Sequence, residues 1–290
     1  MDRLGVTRRL VRRFVAGTTA DDALAVVARL NGQGLKGAIT FLGEHVRSET
    51  GALAAAQEYV TLLEGLHVRG LDAVPSVKVT QLGVDVSMEV CRANVARVAE
   101  RARALGRLVW IDMEGSGYTD RTLELYAAMR PRFPNLACVV QSALRRTPRD
   151  VDRLIELGST VRLCKGAYRE PPGIAYPDKA DVDRAYGRLA TRLLQARAEG
   201  RGVYPAFATH DERLQALARE RARTLSVGPD GFEIQMLLGI RPELHSRLLH
   251  DGLTVRVLVP YGEDWYGYFM RRLAERPANL AFLLRNLARR

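Results

Sequence analysis

Read for the period of its apolar residues, the chain alternates short β-rich apolar runs with longer stretches of helical spacing, the signature of parallel βα units. The runs are LKGAITFL at 35–42, VPSVKVTQL at 74–82, LVWIDME at 108–114, LACVVQSA at 136–143, TVRLCKGAY at 160–168, YPAFATH at 204–210, GFEIQML at 231–237 and TVRVLVPYG at 254–262. Between them the spacing predicts helices over 48–69, 87–105, 119–129, 181–200 and 211–223, with Pro or Gly near several boundaries. Eight strands alternating with helices close naturally into a (βα)8 barrel; an open doubly wound sheet rarely needs so many regular units. The predicted architecture is therefore α/β: N-terminal helices over 1–30, a barrel domain over 31–290, and a C-terminal helix at the barrel mouth.

Polar residues inside these runs say more than the apolar ones. Glu44, Lys78, Asp112, Glu114, Gln141, Arg162, Lys165, Thr209, His210 and Gln235 fall within or just after the runs, most of them late. The C-terminal ends of barrel strands converge on one mouth, and burying an unpaired charge costs several kcal/mol. So many strand-end charges imply a shared polar pocket, with layers of salt bridges inside the barrel as the alternative for any one of them.

Two segments are dense in chemistry. VRLCKGAYREP at 161–171 sets Arg162 and Lys165 beside Gly166 and Ala167, two cations and a close-approach backbone suited to an electron-rich cofactor carrying a pyrophosphate. FMRRLAERPANL at 269–280 sets Arg271 and Arg272 next to each other on a predicted helix. Their side chains point ~100° apart, so both reach one carboxylate only if it lies close to that face. Glu275 is spaced to orient either guanidinium. Alone, this segment also reads as a surface helix with an internal ion pair.

Composition narrows the alternatives. At 290 residues and 47% hydrophobic, the chain can bury a large core. Cys91, Cys138 and Cys164 are too widely spaced for a redox or zinc motif. The five histidines form no HExxH or HxH pair, so no metal is expected, and there is no GxSxG elbow. GQGLKG at 32–37 matches GxGxxG in letters but follows a helix and enters a strand, the reverse of a dinucleotide fingerprint; it reads as a helix stop and turn. No apolar run approaches the ~18 residues of a spanning helix, and no secretory leader is evident, so a soluble cytoplasmic chain is expected.

The net charge of +11 raises nucleic-acid binding, yet the arginines are scattered along the chain and no aromatic-interleaved basic patch occurs, so no nucleic-acid partner is expected. The exception to the scatter is the start, where Leu10, Val11, Phe14 and Val15 share one helical face and Arg8, Arg9, Arg12 and Arg13 the other. Such a helix packs against its own domain or lies on an anionic membrane.

From about Leu42 to the C-terminus the chain resembles the proline dehydrogenase family in its bacterial monofunctional form. The resemblance rests on FLGE (41–44), SVKVTQLG (76–83), IDMEGS (111–116), VVQSALRRT (139–147), VRLCKGAY (161–168), FATHD (207–211), EIQMLLG (233–239) and VPYGEDWYGYFMRRLAERPANL (259–280), in the family's order. It implies FAD held without a Rossmann domain, with Gln141, Arg162, Lys165, Gly166, Ala167, Thr209 and His210 as contacts and Met113 beside the ring. Lys78, Arg271 and Arg272 would pair with the substrate carboxylate, and Tyr168 and Leu237 would touch its ring. Asp112 would be a charged partner beside that site, with Glu44 pairing with Arg271 to close it. The implied reaction is hydride removal from C5 of L-proline, giving pyrroline-5-carboxylate, with electrons passed to a membrane quinone by a cytoplasmic enzyme that visits the membrane surface.

Three positions depart from the family pattern. Cys164 stands where an aliphatic residue is expected, and Arg169 where an aromatic often lies near the adenine. Leu258 stands where related sequences often have a Tyr that helps fix the substrate ring. A flavin-dependent or phosphate-binding barrel acting on another cyclic amino acid, such as hydroxyproline, is the alternative reading.

Overall fold

Each of the eight apolar runs coincides with a strand shorter than itself, contained in the run except that β2 begins one residue earlier: β1 Lys36–Phe41, β2 Ala73–Val77, β3 Val109–Ile111, β4 Leu136–Gln141, β5 Thr160–Cys164, β6 Tyr204–Ala208, β7 Glu233–Leu237 and β8 Thr254–Tyr261. The computed structural model describes residues 11–274, with side chains through Met270. The strands pair in parallel in sequence order, and β1 pairs with β8 from Lys36↔Arg256 to Phe41↔Tyr261, which closes the barrel. The helices are α1 Ala20–Gly32, α2 Glu49–Val68, α3 Met88–Ala104, α4 Ser116–Met129, α5 Thr147–Glu156, α6 Lys179–Ala198, α7 Glu212–Thr224, α8 Glu243–His250 and α9 Trp265–Ala274.

What remains of each run beyond its strand forms the mouth. The run that starts at Val74 leaves strand geometry at Lys78 and turns, with Val79 and Leu82 still buried and Leu82 N–H donating to Lys78 O at 3.1 Å. Gly34, inside GQGLKG, has φ +81° in the turn between α1 and β1, so this segment stops a helix as its context required. Helices α5 and α8 were not singled out in the sequence. Each spans only two to three turns, too short for a clear period.

Ahead of the barrel, Thr19 and Asp22 form a capping box that starts α1. Phe14 and Val15 pack with Leu42, Ile240, Tyr268 and Phe269, while Arg12 and Arg13 are exposed. The described part of the basic N-terminal segment thus turns its apolar side onto its own domain.

Inside the barrel lies a buried ion pair. Arg256 donates through Nε and Nη2 to Glu233 at 2.8 and 3.0 Å, and through Nη1 to Gly37 O at 2.9 Å. The pair lies toward the N-terminal ends of β7 and β8, away from the mouth, and neither residue is among those the sequence placed at the mouth. Removing one partner of such a pair leaves a buried charge. We expect Glu233→Ala to lower the unfolding free energy by about 3–5 kcal/mol, read by urea denaturation; a change within experimental error would show that Arg256 finds water instead.

Candidate active site

At the C-terminal ends of the strands a cavity of about 730 Å³ opens. Glu44, Lys78, Asp112, Met113, Gln141, Arg162, Lys165, Gly166, Ala167, Tyr168, Thr209, His210, Leu237 and Leu258 all line it. The side chains of Arg271 and Arg272, and all of Glu275, lie outside the described residues. The backbone of the two arginines belongs to α9, the helix that brings Tyr268 to the cavity.

Asp112 sits at the centre of the charged groups. Its Oδ1 accepts from Arg162 Nη1 at 2.9 Å and from Ser76 Oγ at 2.7 Å, and its Oδ2 lies 3.6 Å from Lys78 Nζ. Lys78, itself buried, also donates to Thr40 Oγ1 at 3.1 Å. Two buried cations thus share the Asp112 carboxylate at the strand ends.

Arg162 is 5% exposed, with its guanidinium 4.4 Å from the centre of the Trp110 ring. Burial pushes its pKa below the ordinary value, while Asp112 and then Glu233 oppose that shift. Its Nε and Nη2 have no hydrogen-bond partner among the described residues. Buried donors of a charged group rarely stay unsatisfied, and Arg162 is among the residues that line the cavity.

The neighbouring groups are fixed from several strands. Gln141 donates through Nε2 to Glu114 O at 2.8 Å. The Glu114 carboxylate is buried and accepts from Thr80 N–H and Oγ–H, and burial raises its pKa. Gly166 has φ +113°, and a Cβ there would come within 2.8 Å of Gln141 Oε1, so only glycine lets the backbone pass so close. His210 Nε2 accepts from Leu237 N–H at 2.8 Å, which ties the end of β6 to that of β7 and leaves the proton of a neutral ring on Nδ1.

Sequence reasoning missed several groups here. Lys165 Nζ lies 2.5 Å from Asp183 on α6 and 3.2 Å from Asp211, the N-cap of α7, whose pKa is lowered to about 2 because hydrogen bonds from Arg213 and Lys165 outweigh the effect of burial. Asp211 had a signal, a capping residue directly after a strand-end His. Asp183 had none. Cys164 lines the cavity with Sγ 3.4 Å from Val140 O and its thiol pushed up to about 12 by burial, which suits a neutral packing role.

A closed parallel barrel with buried cations, a glycine cradle and an apolar wall at the strand C-termini defines a barrel enzyme site. A family model described as proline dehydrogenase matches residues 23–285. The chain is 37% identical over 284 residues to proline dehydrogenase 1 of Bacillus subtilis strain 168, covering 98% of this chain and 92% of that protein. It is likewise 37% identical over 283 residues to a proline dehydrogenase of Deinococcus radiodurans, covering 96% and 90%. Among solved structures, it superposes with TM-score 0.85 and 26% identity on proline utilization A of Bdellovibrio bacteriovorus inactivated by N-propargylglycine, over 93% of this chain and 33% of that one. The chain belongs to the proline dehydrogenase family.

Proposed function

We propose that the protein oxidises L-proline to 1-pyrroline-5-carboxylate using non-covalently bound FAD, with a quinone as electron acceptor. The observation that carries this reading is Arg162: a buried cation facing the cavity, clamped by Asp112, with two donors unpartnered among the described residues. Together with the Gly166 cradle and Lys165, this fits a group that is anionic at one end and rich in acceptors at the other. Gln141, Arg162, Lys165, Gly166, Ala167, Thr209 and His210 would hold the FAD, with Met113 beside its ring. When bound, FAD supplies a two-electron acceptor for the hydride from C5 of proline.

Lys78, with Arg271 and Arg272, binds the proline carboxylate. Asp112 fixes Lys78 and Arg162 relative to each other, so that the donors do not reorganise as charge moves. Tyr168, Leu237 and Leu258 line the cavity where the pyrrolidine ring would rest, and Glu44, pairing with Arg271, would close it over the substrate. Holding a small amino acid by its carboxylate against an apolar wall orients C5, and orientation supplies much of the rate. For the quinone step, exposed Arg12 and Arg13 support a peripheral visit to an anionic membrane face; no helix among the described residues is long and apolar enough to cross a membrane.

The test is steady-state turnover: L-proline should reduce a soluble quinone in the presence of the protein, with stoichiometric pyrroline-5-carboxylate. No turnover by FAD-loaded protein with any of several quinones would refute the reading.

Leu258 gives a narrower expectation. In place of the family's Tyr it leaves the ring pocket roomier, and an apolar pocket rejects a merely hydroxylated analogue by only about 100-fold at most. Leu258→Tyr should therefore raise the proline to hydroxyproline ratio of kcat/KM about three- to tenfold. An unchanged ratio would show that Leu258 does not meet the ring.

A further inference from the structure

Outside the groups already assigned, a polar cluster on the rim joins three elements at one point. Tyr118 on α4 donates its hydroxyl to Asp85 Oδ2 at 2.9 Å. His45 Nδ1 lies 3.2 Å from the Tyr118 hydroxyl and 3.4 Å from the same Asp85 oxygen. Behind them Arg121 stacks on the Tyr118 ring at 4.7 Å, donates to Val84 O at 3.2 Å and lies 3.6 Å from Asp85 Oδ1. Asp85 is on the connection between β2 and α3, and His45 is on the connection between β1 and α2.

His45 directly follows Glu44, which lines the cavity. Its backbone has φ +59°, a conformation that a residue with a Cβ adopts only when its surroundings hold it there. One residue on, Val46 N–H donates to Thr80 O at 3.0 Å, and Arg47 is exposed. The β1–α2 connection is thus bent in a strained turn at the residue next to Glu44 and secured on its outer side by the cluster.

We propose that His45, Asp85 and Tyr118 form a latch that positions Glu44 over the cavity by holding the β1–α2 connection in its strained turn. These are positioning residues: within the latch the Tyr118 hydroxyl and the His45 ring meet Asp85 and each other. The inference rests on the proposed substrate site for its kinetic consequence but not for its structural one. Burial, and next the hydrogen bond to Asp85, push the Tyr118 phenol up, so it remains a donor across the working range of pH.

The experiment uses the FAD-loaded full chain. Tyr118→Phe removes both hydroxyl contacts, and His45→Ala removes the ring while leaving a residue with a Cβ at the positive φ. The first readout needs no substrate: limited trypsin digestion, following the fragment that begins at Ser48 after cleavage at Arg47. Losing one or two hydrogen bonds of ordinary net strength should speed that cleavage about three- to tenfold in each variant, with a smaller rise in the KM for L-proline that follows the loss of closed fraction, kcat within about twofold and unchanged FAD content. In a double-mutant cycle, Tyr118→Phe should add little to the KM defect of Glu44→Gln, because both act through the same carboxylate.

Unchanged cleavage at Arg47 in both variants overturns the latch. So do KM effects that add fully to that of Glu44→Gln, or a loss of FAD and thermal stability that accounts for the KM change. If the proline assignment itself were wrong, the wild type would be inactive while the cleavage difference persisted, so the two failures are distinguishable.

Discussion

Replacing Arg162 by Met is expected to reduce kcat/KM for L-proline by about 100- to 1000-fold, the usual cost of removing a preorganised donor from the place where charge develops. The barrel should stay folded. Asp112 keeps its bond from Ser76 and its approach to Lys78, and the Met side chain fills apolar space against Trp110. Arg162→Lys should rescue little, because a single ammonium cannot both reach Asp112 and present two further donors in a fixed plane. Comparing FAD content, thermal midpoint and kcat/KM for the two variants checks this. Near-wild-type kcat/KM in Arg162→Met would mean that the unpartnered donors of Arg162 face no reacting group.

A comparable loss is expected at the neighbouring helix. Removing one partner of a desolvated charge pair costs about 2–5 kcal/mol, so Arg271→Met or Arg272→Met should lower kcat/KM for L-proline by about 30-fold to several thousandfold. FAD content should remain normal, since the residues proposed to hold the cofactor lie on the strand ends. Lys78 shares Asp112 with Arg162 and interacts with the buried Glu114 carboxylate, so a substrate carboxylate needs further cations beside Lys78. Wild-type kinetics in both variants would return this segment to the surface helix that its sequence also allows.

The contrast between legible and illegible residues has a physical basis. A charge inside a β-rich run has few places to go in a closed parallel barrel. Lys78, Asp112, Arg162 and Lys165 could therefore be assigned to the mouth from the sequence, and they do line one cavity. Their partners were harder. Trp110 reads simply as an apolar strand residue, and only the closed barrel places its ring beneath Arg162. Asp183 and Tyr118 sit on amphipathic helices where a polar residue is unremarkable, and their contacts depend on how the helix packs beside the next loop.

Strand ends were overestimated for a related reason. Residues such as Val79 and Leu82 are as buried as those of β2, but they are buried in a turn, and apolar periodicity does not distinguish the two. The ion pair between Glu233 and Arg256 illustrates the opposite limit. Strand-borne charge alone does not mark a mouth group: these two residues lie toward the N-terminal ends of β7 and β8 and satisfy each other within the barrel.

The most direct test of the account is anaerobic reduction of the purified protein's flavin. The protein should purify yellow, or become so on reconstitution with FAD, and its visible flavin absorbance should be bleached by L-proline and not by NADH. Protein that takes up no FAD, or that binds FAD and shows no bleaching with L-proline, would contradict it.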